Sequence, residues 1–323
     1  MERSLSFIIP VYNEEESLNE LFSRIQLSCK QNNYHNYEII FIDDGSSDGS
    51  SAVIQHIISD ISNNDSDEFS VVLIRFRKNF GKAAALQAGF ERASGDVAIT
   101  MDADLQDDPF EIPKLIAKLG EGYDVVSGWK QIRHDPLEKR LPSKLFNAVT
   151  AKMSGIQIHD FNCGFKTYRR IVYSNINLYG EMHRYIPILA KRLGFSTGEV
   201  AVEHHPREHG YSKYGFERYL RGLFDAMTSS FLLHYGDRPM HFFGRPGLLM
   251  CTAGIIICLI LTVQWFGGQR IGTRPLLSLG VLLITIGFQF FATGLSCEMM
   301  LDKLGNRGQN HTRIAEVISS EDE

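Results

Sequence analysis

Two carboxylates and an amide follow an apolar run near the first third of the chain. The run Val97–Met101 is typical of a buried strand, and directly after it come Asp102, Asp104 and Gln106. At the two-residue period of a strand, these three side chains would point to one side. Three oxygen donors at the carboxyl end of a strand suit Mg²⁺ or Mn²⁺, which usually also bind water and phosphate oxygens. For an isolated Asp-x-Asp pattern, a polar turn closed by Pro109 is the alternative.

Two further polar turns follow apolar runs earlier in the chain. Leu5–Val11 predicts a first strand before the turn Tyr12–Glu15, and Tyr37–Ile42 predicts a second strand before Asp43–Asp48. Apolar residues at helical spacing lie between the strands, so we predict an α/β protein with a mostly parallel sheet covered on both faces. Ligands of such sheets bind at the carboxyl ends of strands, and these turns should therefore converge with Asp102–Asp108 on one cleft. Capping of the second helix is the alternative role for the Asp43–Asp48 turn.

The composition argues against several other classes of protein. The chain has 323 residues, enough for one large domain or two smaller ones. A net charge of −5, without a basic stripe interleaved with aromatics, argues against nucleic acid as a partner. The sequence lacks the G-x-x-x-x-G-K-[ST] phosphate loop and a G-x-G-x-x-G after the first strand. Its five cysteines form no Cys-x-x-Cys pair, so we interpret them as free thiols in a reducing compartment.

Two apolar runs near the C-terminus predict a membrane hairpin. Residues 244–266 and 275–297 are 23 residues each, and about 20 apolar residues span the hydrocarbon core. A buried core hairpin is the alternative. Basic residues flank the outer ends of the pair, which the positive-inside rule places in the cytoplasm. The apolar part of the N-terminus is too short for a signal peptide, so we expect an integral two-span protein whose N-terminal domain stays cytoplasmic.

These features divide the chain into four segments. Residues 1–215 form the α/β domain, 216–243 a juxtamembrane amphipathic helix, 244–297 the two spans and 298–323 a cytoplasmic tail. The juxtamembrane helix could lie on the membrane surface or pack as an ordinary helix. A possible homo-oligomer would use the small residues that recur every seven positions in the second span, namely Gly280, Gly287 and Gly294.

Four motifs occur in order along the α/β segment. They are Pro10-Val-Tyr-Asn-Glu-Glu15, Asp43-Asp-Gly-Ser-Ser-Asp48, Asn79-Phe-Gly-Lys82 and Asp102-Ala-Asp-Leu-Gln106-Asp-Asp-Pro109. Together they resemble the family 2 glycosyltransferases of GT-A fold and, among these, the polyprenyl-phosphate type that includes dolichyl-phosphate mannose synthases. The membrane hairpin and the run from Arg207 to Tyr214 look most like the bacterial undecaprenyl-phosphate (bactoprenol) glucosyltransferases. The resemblance implies a Rossmann-like GT-A catalytic domain followed by a two-helix transmembrane hairpin.

The resemblance also implies roles for individual positions. The residues expected to bind the nucleotide sugar are Pro10, Tyr12, Glu14, Asp43, Asn79, Lys82 and Asp102. The expected ligands of Mg²⁺ or Mn²⁺ on the donor diphosphate are Asp102, Asp104 and Gln106. The residues expected to hold phosphates of donor or acceptor are Arg133, Arg140, Arg207, Ser212 and Lys213. Catalytic roles are implied for Asp102, Asp104, Arg140 and Asp160, although Asp160 could instead cap its loop and Lys82 could be a solvated helix residue.

The chemistry of the reaction agrees with the resemblance. Negative charge develops on the leaving nucleoside diphosphate, and a divalent cation with Arg or Lys can stabilise it. A lipid phosphate acceptor is already an anion and needs no strong general base. We therefore predict an inverting, metal-dependent enzyme that moves a hexose, glucose from UDP-glucose, to undecaprenyl phosphate at the cytoplasmic face of a bacterial plasma membrane. The alternatives are a GDP-mannose-dependent polyprenyl-phosphate mannose synthase and a non-catalytic, membrane-anchored subunit that binds nucleotide sugars.

Overall fold

The computed structural model describes most of the chain. The described residues are 4–62, 69–131, 158–180, 182–205, 228, 231, 235–236, 238–270, 272 and 274–305, with side chains up to Leu301. Several predictions lie outside the described residues, namely those for Arg133, Arg140, Arg207, Ser212, Lys213, residues 216–227 and residues 306–323. The chain forms two compact units, Met1–Ser229 and Ser230–Glu323.

Alternating strands and helices build the first unit. Its described strands are β1 (Leu5–Val11), β2 (Tyr37–Asp43), β3 (Phe69–Arg75), β4 (Val97–Thr100), β5 (Val125–Lys130), β6 (Lys166–Arg169) and β7 (Thr197–Val202). Its described α-helices are α1 (Leu18–Gln31), α2 (Ser50–Ser62), α3 (Lys82–Arg92), α4 (Ile112–Gly120), α5 (Arg170–Tyr173) and α6 (Ile186–Arg192). Short 3₁₀ helices lie at Pro109–Glu111 and Met182–Tyr185.

The strands form one sheet in the order β3-β2-β1-β4-β6-β5-β7. β1 is parallel to β2 and β4, β2 to β3, and β5 to β7. Only β6 among these strands runs antiparallel to its neighbours, β4 and β5. The predicted mostly parallel sheet is confirmed. Because β1, β2 and β4 are adjacent and parallel, their carboxyl ends meet at one edge, which we call the carboxyl edge of the sheet.

Helices cover both faces of the central strands. Phe7 of β1 belongs to a buried cluster that includes Leu21 and Ile25 of α1. The next residue, Ile8, points to the opposite face, where it contacts Gly89 of α3 so closely that a Cβ on Gly89 would overlap it. This alternation explains why β1 and β2 are apolar on both faces and are almost completely buried.

Two long helices, α7 (Pro239–Phe266) and α8 (Pro275–Gly305), dominate the second unit. Both are long and apolar enough to cross a membrane, and both extend beyond the predicted spans at their outer ends. Most of their described side chains are exposed, unlike those of a core helix in a soluble protein. The pair therefore has the form of the predicted transmembrane hairpin.

Glycines hold α7 and α8 close together. A Cβ on Gly247 would lie 2.8 Å from the Gly287 carbonyl oxygen, and one on Gly254 would lie 2.6 Å from the Gly280 oxygen. Gly294 is packed in the same way against Met240. The seven-residue glycine spacing therefore serves the contact between the two helices of one hairpin, and the possible homo-oligomer stays a prediction.

Candidate active site

The three polar turns lie together at the carboxyl edge of the sheet, as the sequence predicts. The first and second turns are joined where Glu15 Oε2 accepts a hydrogen bond from Gly49 N at 2.8 Å. The first and third turns are joined where Ser17 Oγ donates to the Ala103 carbonyl oxygen at 2.6 Å. These links between residues far apart in sequence build a single polar surface from three strand ends.

The acidic segment after β4 is a turn and not a continuation of the strand. β4 ends at Thr100, and Leu105 adopts a positive φ of 61°. The expectation that strand spacing continues through this segment is wrong, because the left-handed residue reverses the chain. Asp102, Asp104 and Gln106 are nevertheless half-exposed, while the residues between them are buried. Gln106 N donates to Asp104 Oδ1 at 3.2 Å, which closes the turn.

Lys82 forms an ion pair with Asp102 at this edge. Its Nζ donates to Asp102 Oδ1, and the two side chains are 32% and 33% exposed. Burial opposes the charged form of Asp102, but attraction by Lys82 and Lys130 lowers the pKa of Asp102 to about 2. Burial also disfavours the charge of Lys82, yet its attraction to Asp102 raises the Lys82 pKa above the ordinary value. Both groups are therefore charged near neutral pH.

A buried carboxylate, Asp44, positions Lys82. It accepts hydrogen bonds from Phe80 N at 2.7 Å and Gly81 N at 2.9 Å. Gly81 has a φ of 93° and directly precedes Lys82, the first residue of α3. Burial raises the pKa of Asp44, and the two backbone hydrogen bonds oppose that rise. Sequence reasoning weighed helix capping and a nucleotide contact for the Asp43–Asp48 turn and missed this role of Asp44, because its partners lie more than thirty residues away.

A second ion pair, between Lys130 and Asp107, stabilises the buried side of the acidic turn. Lys130 Nζ lies 2.7 Å from Asp107 Oδ1, with the Asp107 side chain fully buried and that of Lys130 only 11% exposed. Burial disfavours the charge on Lys130, but the Asp107 carboxylate raises its pKa above the ordinary value. Asp107 Oδ2 also accepts from Asp102 N at 3.3 Å. Sequence reasoning missed this pair, because the two residues lie on different elements and twenty-three positions apart.

His183 is another residue that sequence reasoning missed. Burial, followed by repulsion from Lys82, Arg184 and Lys166, lowers the pKa of His183 to about 2. Its imidazole is therefore neutral at physiological pH. The residue comes from the 3₁₀ helix between β6 and α6, and no pattern in that segment distinguished it from a surface histidine.

The loop before β6 approaches the Asp102 carboxylate. A Cβ on Gly164 would lie 2.8 Å from both carboxylate oxygens of Asp102, so only glycine leaves that carboxylate its present space. The Gly164 carbonyl oxygen accepts from Thr100 Oγ1 at 2.8 Å. Asp160 is buried and accepts from Asn162 N at 3.1 Å, which is the loop-capping alternative for this residue. Its catalytic role remains a prediction.

The residues expected at the nucleotide differ in their access to solvent. Asp43 is fully buried, and its oxygens accept hydrogen bonds from Ser46 N at 2.8 Å and from Ser51 Oγ. In this structure the Asp43 carboxylate therefore stabilises its own turn and is not exposed to solvent. Its contact with the nucleotide stays a prediction. Besides Lys82 and Asp102, the expected residues that are exposed or half-exposed are Pro10, Tyr12, Glu14 and Asn79.

The donor set fits a hard divalent cation. Asp102, Asp104 and Gln106 offer half-exposed oxygens, and Gly164 leaves room beside the first of them. A second set of possible ligands lies at the far end of the same turn: in Asp108, Glu203 and His205 the ligand atoms are within 4.8 Å of one another. His205 Nε2 lies 3.2 Å from Asp108 Oδ2. Sequence reasoning did not predict this second set.

A mostly parallel sheet with an Asp-x-Asp turn and a paired lysine at its carboxyl edge defines a GT-A catalytic domain. The structure resembles a mannosyltransferase from Pyrobaculum calidifontis in complex with GDP-mannose and Mn²⁺, with a TM-score of 0.52, 14% identity, and coverage of 97% of this chain and 78% of that one. They also resemble glucosyl-3-phosphoglycerate synthase from Mycobacterium tuberculosis, with a TM-score of 0.51, 19% identity, and coverage of 71% and 79%. At these identities the likeness shows the fold.

Sequence comparison identifies the family. Residues 6–176 match the model of glycosyl transferase family 2. The chain is 36% identical to the dodecaprenyl-phosphate galacturonate synthase of Rhizobium johnstonii, over 92% of this chain and 87% of the relative. It is 37% identical to an undecaprenyl-phosphate 4-deoxy-4-formamido-L-arabinose transferase of Pseudomonas fluorescens, over 92% and 84%. The chain belongs to glycosyl transferase family 2 and is a glycosyltransferase, as the resemblance predicted.

Proposed function

We propose that this protein transfers a sugar from a nucleotide sugar to a polyprenyl phosphate at a membrane surface. The observation that carries the proposal is the acidic turn at the carboxyl edge, paired with Lys82, in a chain that also has two helices of membrane-spanning length. The names of the relatives support the acceptor, since both specify a polyprenyl phosphate. The acceptor phosphate explains why a soluble catalytic fold is joined to a membrane hairpin.

The donor site would act on the leaving diphosphate. Asp104 and Gln106, with Asp102, would hold Mg²⁺ or Mn²⁺, and the bound cation would stabilise negative charge on the departing phosphates. Lys82 adds a positive charge at the same edge, where α3 begins and its dipole favours anions. Tyr12 and Asn79 are accessible for contacts with the nucleotide.

The acceptor needs little proton chemistry. A phosphate monoester is ionised at neutral pH, so it can attack the anomeric carbon without a strong general base, and inversion is the outcome expected for the family. Asp160 is buried and caps its loop, which is consistent with a reaction that needs no strong general base. The repulsion between two phosphates remains to be overcome, which is the role we assign to Arg133, Arg140, Arg207, Ser212 and Lys213.

The names of the relatives indicate donor sugars other than the predicted glucose. The resemblance implied glucose from UDP-glucose, whereas the relatives are named for galacturonate and for 4-deoxy-4-formamido-L-arabinose. A donor panel should therefore begin with the nucleotide forms of these two sugars and include UDP-glucose and GDP-mannose. The protein would face the cytoplasm of a bacterial plasma membrane, where nucleotide sugars are made.

A reconstitution experiment tests the proposal. Full-length protein in detergent is mixed with undecaprenyl phosphate, Mg²⁺ or Mn²⁺ and each donor, and glycolipid is measured by extraction and mass spectrometry. We expect one donor to give a glycosyl phospholipid and a water-soluble sugar acceptor to give no product. Failure of every donor would contradict the proposal and favour the alternative of a non-catalytic subunit that binds nucleotide sugars. Efficient transfer to the water-soluble acceptor without lipid would also contradict the proposal.

A further inference from the structure

The Asp102 carboxylate has neighbours on two sides. Lys82 Nζ donates to its Oδ1, and the backbone at Gly164 lies so close that even a Cβ there would be 2.8 Å from both oxygens. Lys82 therefore holds one of the two oxygens that a divalent cation at Asp102 would use. Such a cation must compete with the ammonium charge for this carboxylate.

Lys82 is the movable partner of this pair. Its backbone is fixed, because Asp44 binds the amides of Phe80 and Gly81 immediately before it. Its side chain is a flexible chain of four methylenes with a point charge at its end, and about a third of it is exposed. The ammonium can therefore change partners by side-chain rotation alone, without unwinding the start of α3.

Electrostatics indicate when the exchange occurs. Asp102, Asp104 and Asp107 all attract the Lys82 ammonium, so the lysine stays at the acidic turn while no other cation is near. A divalent cation beside Asp102 and Asp104 would repel it. A nucleoside diphosphate arriving with that cation would offer the lysine a new anionic partner at the same edge of the sheet.

We propose that Lys82 is an exchangeable counter-ion that leaves Asp102 for the donor diphosphate, and so makes the binding of the divalent cation and of the nucleotide depend on each other. The cation alone must displace Lys82 without compensation, whereas cation and diphosphate together provide a partner for every charge. By linkage, each ligand then raises the affinity for the other. The inference rests on the proposed location of the donor site and goes beyond it by assigning part of the coupling to one side chain.

Manganese binding without turnover tests this inference. Full-length protein in detergent is titrated with Mn²⁺, and free Mn²⁺ is measured by electron paramagnetic resonance with no nucleotide, with UDP and with GDP. In the wild type we expect one of the nucleotides to raise the Mn²⁺ affinity by roughly tenfold or more, within the usual range for coupled sites. In Lys82→Met we expect tighter Mn²⁺ binding than wild type without nucleotide, and a coupling at least about threefold smaller than in the wild type, because only the direct attraction between cation and diphosphate remains.

Lys78→Met and Lys82→Arg control for the loss of a positive charge, and Lys82→Gln is a reserve variant in case Lys82→Met does not fold. Lys78→Met removes an exposed lysine of the same loop, whose Nζ lies 5.1 Å from the centre of the Phe80 ring, and should behave like the wild type. Lys82→Arg retains a movable cation and should retain the coupling. If Lys82→Met fails to fold by circular dichroism, Lys82→Gln replaces it, since its amide keeps the polarity and much of the length.

The outcomes separate this inference from the proposed function. Unchanged Mn²⁺ affinity and unchanged coupling in Lys82→Met, or in Lys82→Gln where it replaces Lys82→Met, would overturn the inference even if wild-type sugar transfer is observed. Absence of Mn²⁺ binding to the wild type with either nucleotide would overturn it as well. A reduced coupling in Lys82→Met with wild-type coupling in Lys78→Met would support it, even if the donor panel yields no glycolipid.

Discussion

Charges at the carboxyl edge are arranged as pairs of different accessibility. Asp107 and Lys130 are almost completely buried, whereas Asp102 and Lys82 are each about one-third exposed. Removing one member of a buried pair leaves an unpaired charge, so the Asp107–Lys130 pair cannot exchange partners cheaply. We infer that this pair fixes the shape of the acidic turn, and that the more exposed pair is available for ligand chemistry.

Asp104 should be essential for sugar transfer. Its half-exposed carboxylate lies in the turn beside the Lys82–Asp102 pair, and Asp104→Asn would remove charge from the proposed cation site with little change in shape. We expect the rate of glycolipid formation to fall by about 10²–10³-fold, the usual effect of losing one electrostatic contact to the transition state. The measurement is the initial rate at limiting Mg²⁺ or Mn²⁺ with the best donor.

The matched control for Asp104 is Asp108→Asn. Asp108 lies four residues later in the same turn and belongs to the second set of possible cation ligands with Glu203 and His205. It also accepts from Phe110 N at 3.0 Å, a capping bond that an asparagine side chain can keep. We expect Asp108→Asn to retain most activity. A wild-type rate in Asp104→Asn together with a large loss in Asp108→Asn would move the cation site to the second set.

The sequence allowed the positions of these groups to be predicted better than their pairings. Asp102, Asp104 and Gln106 were recognised because two carboxylates and an amide directly follow an apolar run. The partner of Asp102 lies twenty residues away and that of Asp107 twenty-three residues away. Such pairings depend on the order of strands in the sheet, and local spacing carries no information about that order.

At the scale of elements, apolar periodicity predicted the strands and helices well, and local backbone geometry was the main source of error. The strand before the acidic turn ends at Thr100, and Leu105 has a positive φ that a leucine rarely adopts. Nothing in the type of residue at position 105 predicts this reversal. The direction of β6 was also beyond prediction, because more than thirty residues separate the end of β5 at Lys130 from the start of β6 at Lys166 and do not restrict how the two strands connect.

The helical hairpin offers a test of how its elements pack. A Cβ at Gly287 would lie 2.6 Å from the Gly247 carbonyl oxygen and 2.7 Å from Cys251 N, both of them backbone atoms of α7. We expect Gly287→Leu to separate the helices and to lower the stability of the hairpin by about 1–3 kcal/mol, the usual cost of overpacking. The measurement is loss of helical circular dichroism in the full-length protein during titration with sodium dodecyl sulfate.

Ala292→Leu is the control for that substitution. Ala292 is an exposed position of α8, so the added side chain would point away from the packed interface. We expect its denaturation curve to overlay that of the wild type. Equal destabilisation by the two leucines would mean that the contact between Gly247 and Gly287 does not hold the hairpin together.

The two units of the whole molecule have opposite surface chemistry. Described residues of the first unit place polar turns at one edge of a buried sheet, and α7 and α8 of the second unit expose leucine, isoleucine, valine and phenylalanine along their length. Composition averaged over the chain concealed this difference, and the apolar runs revealed it. A nucleotide sugar is polar and a polyprenyl phosphate is a lipid, so an enzyme that uses both needs a polar surface and an apolar one. The orientation of the hairpin then decides on which side of the membrane the first unit can bind its donor.

That orientation can be measured with two engineered cysteines. Gly120 at the end of α4 and Gly272 between α7 and α8 have open space where a Cβ would be, so Gly120→Cys and Gly272→Cys should leave the fold unchanged. The native cysteines are buried or partly buried, which gives the wild type a low background. If the catalytic domain is cytoplasmic, a membrane-impermeant maleimide should label Gly272→Cys in intact bacterial cells and Gly120→Cys only after the cells are permeabilised, because the positive-inside rule places the outer ends of the hairpin inside. Labelling of Gly120→Cys in intact cells would place the donor site outside, where nucleotide sugars are not made, and would rule out the proposed reaction in that orientation.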